Sequence, residues 1–280
     1  MFAINHYYSH SLILSQASGY EEPQRIRGEI QHSFWQLDKD LSKFRPSKFS
    51  RKLFLWGGSF MVEKRQQLLQ LGFKVIPIGD PFLYFLKIHS IEPSVAKYDL
   101  FLPKFSSHAQ IQDRVMSHES ALNELVNLSC VSLKVRLHHK DYASPLIQNL
   151  YKKRGIDILH GGEPSSLSWM EEYANHLNTC GTIYSDHLGS HILRATVLGV
   201  KCQLLKSSLM KSNLESVFEL YSAAGNPSDQ NDFARFQLGF QYMRSQEELR
   251  TELELKKPRS LINKTFIFLL SDLNNKIKSI

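Results

Sequence analysis

Apolar and polar residues in the second half of the chain fall into short blocks whose period switches between that of a strand and that of a helix. CVSLKVRLH, Cys130 to His138, is β-rich and predicts a strand. SPLIQNLYKKRG follows with helical spacing, Pro145 near its start and Gly155 at its close. IDILH (Ile156 to His160) predicts the next strand and PSSLSWMEEYANHL a helix opened by a Pro and Ser cluster. GTIYS then predicts a third strand, SHILRATVLG a helix stopped by Gly199, and VKCQLL a fourth strand. Strands separated by single helices pair in parallel through right-handed crossovers, so residues 125–255 are expected to form a Rossmann-like α/β domain.

Shorter signals of the same kind precede it. RIRGEIQHSF (Arg25 to Phe34), KLFLWG (Lys52 to Gly57) and FKVIPIG (Phe73 to Gly79) predict strands, and VEKRQQLLQLG predicts a helix stopped by Gly72. They are expected to build a second, abbreviated Rossmann-like domain over residues 1–115. The link between the two is placed in the stretch from Pro103 to Asn127, polar at first and then helical. After Leu205, SNLESVFELYSAAG reads as helix, GNPSDQND as a polar loop and FARFQLGFQYMRSQEELRTELEL as further helix, a helical C-terminal extension. Residues 256–280 are expected to form a basic terminal helix or tail.

Composition narrows the class. A chain of 280 residues, 42% hydrophobic and 22% charged, buries a substantial core. It has no apolar run near the roughly 18 residues that a spanning helix needs. The start, MFAINHYYSHSLILSQ, has no basic n-region and its apolar residues are interrupted by Asn5, His6, Ser9 and His10, so the protein is expected to be cytoplasmic. Cys130, Cys180 and Cys202 form no CxxC pair and read as buried free thiols. An excess of 34 Lys and Arg over 27 Asp and Glu gives a formal charge of +7 and favours anionic partners. Part of that excess is the tail, where Lys256, Lys257, Arg259, Lys264, Lys276 and Lys278 surround FIFLL. Such a segment can sit peripherally on anionic lipid at the inner face of a membrane, though packing of a terminal helix on the body is the favoured alternative. Nucleic-acid binding would rest on net charge alone, without an RNA motif or a basic-aromatic stripe, and is disfavoured.

The chemistry gathers in three loops. In an open parallel sheet, ligands sit beyond the carboxyl ends of the strands. After KVRLH come His138, His139, Lys140 and Asp141, with Lys134 and Arg136 on the strand before them, a set able to hold a diphosphate or to form only a solvated basic turn. HGGEP, His160, Gly161, Gly162, Glu163 and Pro164, lets backbone approach a ligand closely and offers Glu163 to a sugar or ribose hydroxyl; it also reads as an ordinary Gly-Gly turn. SDHLGS precedes a helix whose free N–H groups suit phosphate oxygens, with Ser185, Asp186, Gly189 and Ser190 allowing close approach. A bare helix cap is the alternative there, and His187 and His191 beside it read first as helix-surface residues. Walker, GxGxxG, GxSxG and HExxH patterns are absent, so no metal and no separate cofactor are expected.

With those residues in view, KVRLHHKD, HGGEP and YSDHLGSHILRATVLGV resemble the C-terminal half of GT-B glycosyltransferases, especially bacterial capsular and surface-polysaccharide enzymes of polysialyltransferase-like and glycerophosphotransferase-like groups. QLGFQYMRSQEEL is similar to that family's closing helix, GEIQHSFW (Gly28 to Trp35) to its QHG-type loop, and VIPIGDPFLYF to its glycine-proline-tyrosine segment. The resemblance implies a metal-independent transfer of sugar from a nucleotide-sugar donor to a glycan acceptor of a growing surface polysaccharide. Donor-binding residues carried over are Arg136, His138, Asp141, His160, Gly161, Gly162, Glu163, Ser185, Asp186, Gly189 and Ser190, with His32 as the general base. Two alternatives stand beside it: a nucleotide-sugar epimerase of the same fold, and a non-catalytic binding or assembly protein, suggested by Ser33 where the family pattern has Gly and by the short N-terminal unit.

Overall fold

A computed structural model describes residues 8–31, 52–56, 62–91, 94–104, 109–128, 132–187, 189–205 and 227–255. The chain is an α/β protein built on two parallel sheets. In the first, β1 (Glu29–Ile30), β2 (Lys52–Leu55) and β3 (Lys74–Pro77) lie in the order β1-β2-β3. In the second, β4 (Tyr98–Leu102), β5 (Leu133–Leu137), β6 (Asp157–His160), β7 (Cys180–Ser185) and β8 (Lys201–Leu204) lie in the order β6-β5-β4-β7-β8. Counted from β4, that order is 3-2-1-4-5, the doubly wound arrangement of a Rossmann sheet.

The helices are α1 (His10–Ala17), α2 (Val62–Gln70), α3 (Pro81–His89), α4 (Ile111–Leu125), α5 (His139–Tyr142), α6 (Pro145–Lys152), α7 (Trp169–Asn178), α8 (Ser190–Val197), α9 (Pro227–Gln237) and α10 (Gln246–Glu252). Several begin where local chemistry says they should. Asp80 accepts from the Phe82 N–H and precedes Pro81 at the first position of α3. Ser144 and Pro145 do the same for α6, and Ser245 and Glu248 close a capping box on α10.

Three findings correct the sequence reading. Tyr98–Leu102, expected inside the first domain, is the central strand of the second sheet, hydrogen-bonded to β5 and β7. The expected boundaries of 1–115 and 125–255 therefore divide that sheet, and the change of sheet falls between α3 and β4. GNPSDQND, read as loop, contains the first turn of α9, where Pro227 and Asp229 suit a helix N-terminus. The first helix, α1, lies in a stretch read only as broken apolar sequence. SNLESVFELYSAAG and residues 256–280 lie outside the described residues.

One core joins the two sheets. Phe54, Trp56, Ile76 and Ile78 of the first unit pack in the same cluster as Leu100, Trp169, Ile183 and Ile192 of the second. A separate cluster under α4 and α6 includes Phe101, Leu122, Val135 and Tyr151. Within the shared core, Arg194 of α8 forms a forked pair with Asp80, Nε to Oδ2 and Nη2 to Oδ1 both 2.8 Å. The rings of Trp56 and Phe82 lie 5.1 and 5.5 Å from the guanidinium carbon. Burial works against the charge on Arg194, yet the Asp80 carboxylate and its hydrogen bonds outweigh it and raise the pKa. After α9 the chain returns to the first unit. Leu238 O accepts from Asp80 N–H, Tyr84 OH accepts from Arg244 N–H, and Lys52 pairs with Glu254 at 2.9 Å. At Gly239, with φ 79°, a Cβ would stand 1.6 Å from Trp56 O, so only glycine permits this approach.

Candidate functional site

The switch point of the five-stranded sheet is the crevice beyond the carboxyl ends of β4 and β7, where the crossover connections diverge to opposite faces. Ser185 ends β7 there, fully buried, and its hydroxyl donates to Leu102 O of β4 at 2.8 Å. With its proton so used, Ser185 Oγ accepts from His191 Nε2–H, 2.8 Å away. Asp186 Oδ1 accepts from the Lys104 N–H at 2.6 Å and lies 3.1 Å from His187 Nδ1. The carboxylate thus ties the loops after β4 and β7 together and turns the His187 ring. The two imidazoles stand 4.5 Å apart between centroids. Gly189, in extended conformation, caps α8, and Ser190 opens it. Burial first, then His187 and Arg194, push the His191 pKa well below its ordinary value.

HGGEP forms the next part of the edge. Gly161 passes so close to β5 that a Cβ would stand 2.2 Å from Leu137 O. Gly162 takes φ 76° against the Trp169 ring. His160 is exposed and meets the ring of Tyr142 edge-on, with centroids 4.5 Å apart. The Glu163 carboxylate is solvent-facing, with Ser165 Oγ 3.4 Å away. The loop is held from the N-terminal side, because Pro164 O accepts from Tyr8 N–H and Ser166 O from Ser9 Oγ.

Arg136 braces that loop from within. Its guanidinium is buried, donates to Gly161 O, and donates through Nε to His176 Nδ1 at 3.1 Å. It lies 5.1 and 5.0 Å from the Trp169 and Tyr173 ring centroids. Burial lowers its pKa to about 10, which leaves it charged at neutral pH. Burial, then Arg136, lower His176 to about 4, consistent with a neutral ring accepting the Nε hydrogen bond.

The loop after β5 is built differently from expectation. Asp141 is buried and paired with Arg114 of α4, with His118 Nε2 3.6 Å from its other oxygen. His118 in turn meets Tyr151 OH at 2.5 Å. His138 caps α5 by accepting from Lys140 N–H at 3.3 Å and lies 4.0 Å from the His139 ring centroid. Burial, then His139, lower His138 to about 4, so at neutral pH it offers hydrogen bonds and no charge. Lys134 is near the start of β5, 3.5 Å from Asp157, away from the carboxyl edge.

The carboxyl edge therefore brings together His138, His160, Gly161, Gly162, Glu163, Ser185, Asp186, Gly189 and Ser190. Arg136 and Asp141, expected as donor contacts, are corrected to internal supports: their charges are spent on Gly161, His176 and Arg114. His32 lies outside the described residues. His187 and His191 were undervalued by sequence because i, i+4 spacing is equally that of a helix surface, and their convergence depends on Ser185 and Asp186. Asp80 is neither a simple turn residue nor an exposed acid, since its carboxylate is taken up by Arg194.

No family model matches the chain, and no curated protein matches it either. Among solved structures, thirteen chains match. One is a structure titled as a putative UDP-N-acetylglucosamine 2-epimerase from Listeria monocytogenes, with 12% identity and a TM-score of 0.41 over 82% of this chain. The chain spans 62% of that neighbour's length.

Proposed function

We propose that the protein is a metal-independent glycosyltransferase that holds a nucleotide-sugar on the carboxyl edge of the five-stranded sheet and passes the sugar to a glycan acceptor, in the synthesis of a surface polysaccharide. The observation that supports this best is the meeting, at the switch point, of the start of α8, the Ser185–Asp186 turn and two imidazoles, beside the glycine turn of HGGEP. Amides and imidazoles fixed in place before the reaction stabilise negative charge on a leaving phosphate without reorganisation. The acceptor hydroxyl oxygen attacks the anomeric carbon as the bond to the donor phosphate breaks, and its proton passes to His32 as general base. Glu163 accepts from a ribose or sugar hydroxyl. The basic segment 256–280 brings the enzyme to anionic lipid.

Incubation with labelled nucleotide-sugars, with and without a glycan acceptor, tests the reading. Transfer should require acceptor, and His32→Ala should reduce it by about 10²-fold or more. Sugar interconversion without acceptor would move the assignment to an epimerase. A thermal-shift panel of UDP, CMP, GDP and CDP derivatives identifies the donor, because a ligand that binds the native state raises the unfolding temperature with saturation.

A further inference from the structure

The two imidazoles at the end of β7 are arranged as a pair. His187 directs Nδ1 to Asp186 Oδ1 at 3.1 Å, which leaves Nε2 as its outward nitrogen. His191 directs Nε2 to Ser185 Oγ at 2.8 Å, which leaves Nδ1 as its outward nitrogen. Both outward nitrogens meet the same small volume over Gly189: a Cβ placed on that residue would stand 2.8 Å from His191 Nδ1 and 3.2 Å from His187 Nε2. Glycine keeps that volume open.

The hydrogen-bond chain sets the protonation of these nitrogens. Ser185 gives its only proton to Leu102 O, so His191 must donate to Ser185 through Nε2–H, and its Nδ1 is bare. Asp186 is an acceptor only, so His187 donates to it through Nδ1–H, and its Nε2 is bare. Two bare nitrogens can accept a hydrogen bond but not give one. Phosphate oxygens also accept. A phosphate can therefore occupy the volume over Gly189 only if a proton arrives with it.

We propose that His187 and His191 form a proton-linked phosphate clamp, in which binding of a diphosphate at this edge takes up one proton. The proposal rests on the donor-site reading above and assigns that site its pH dependence. His187 receives the proton, because the Asp186 carboxylate lies behind it. His191 stays neutral: it is buried, and both His187 and Arg194 of α8 oppose a second charge beside it. The other charged and titratable groups facing the pair are Asp186 itself and, from α6, Tyr151, whose hydroxyl is buried and senses Asp186. Lys104, after β4, contributes its backbone N–H to the same carboxylate. One imidazolium held by a carboxylate then supplies the cationic contact to the phosphate.

Calorimetric titration of the full chain with inorganic pyrophosphate, in buffers of different ionisation enthalpy at one pH, measures the proton directly. About one proton should be taken up per pyrophosphate by the wild type beyond that taken up by His187→Gln, whose amide donates without titrating. The difference between the two proteins cancels the titration of pyrophosphate itself. Between pH 7 and 8 the wild-type Kd should weaken by up to about tenfold more than that of His187→Gln, the limit for one linked proton. Absent binding, equal uptake by the two proteins, or binding that requires added Zn²⁺ would each overturn the clamp. Nucleotide-sugar transfer without differential uptake would overturn the clamp and leave the transferase reading standing. Differential uptake without turnover of any nucleotide-sugar would do the reverse.

Discussion

Arg194 is a charged side chain 3% exposed, and its two hydrogen bonds to Asp80 are what make that burial tolerable. Removing one partner of such a pair leaves the other charge buried and uncompensated, whereas replacing both by apolar groups removes the problem. Asp80→Asn should therefore lower stability by about 3–5 kcal/mol, and the double variant Asp80→Leu with Arg194→Met should regain most of it, as read from urea unfolding. His138 and His176, both lowered to about 4, carry a second prediction. Their folded pKa values lie below the ordinary imidazole value of about 6.5, so the unfolded chain binds their protons first as the pH falls. The stability they contribute is present above pH 6.5 and is lost on descending toward pH 4. Unfolding midpoints measured across that window should fall, and His176→Gln should make the decline shallower. The sequence could name these residues as chemistry-bearing, but Arg136 and Asp141 show the limit: a charge near a loop can serve the ligand or the loop, and only its partners decide.

At the scale of elements, the helices and strands after β4 were legible because each is bounded by a turn residue and keeps one period throughout. Pro145, Gly155 and Gly199 mark their ends in the sequence and in the structure alike. YDLFL was missed for the opposite reason, since it is a short apolar run beside Pro103 whose role depends on which strands flank it. The glycine turn of HGGEP was read correctly as a close approach in kind, but its partner, the Leu137 carbonyl on β5, is distant in sequence. Gly161→Ala places a Cβ against that carbonyl and should cost about 1–3 kcal/mol as an overpacked contact. Because the same turn faces the carboxyl edge, the variant should also weaken donor-nucleotide binding in the thermal-shift panel; full retention of affinity would place the ligand elsewhere.

For the molecule as a whole, the shared core is the decisive feature. Phe54 and Trp56 from one sheet and Leu100 and Ile183 from the other belong to a single buried cluster, reinforced by Asp80–Arg194 and by the return of Gly239 onto Trp56. Two sheets that bury one apolar cluster between them are expected to unfold together, so scanning calorimetry should show one transition with equal calorimetric and van't Hoff enthalpies. Two separated transitions would mean that the units are independent. By itself, the sequence determined the α/β class, the parallel alternation of the second half and the three loops that would share an edge, because local periodicity and turn chemistry act over a few residues. The tertiary structure alone decided that β4 leads the second sheet, that Arg136 and Asp141 face inward, that Asp80 answers Arg194, and that His187 and His191 converge over Gly189. Each of these depends on contacts between segments far apart in the chain or on hydrogen-bond directions, and neither is carried by the pattern of residue types.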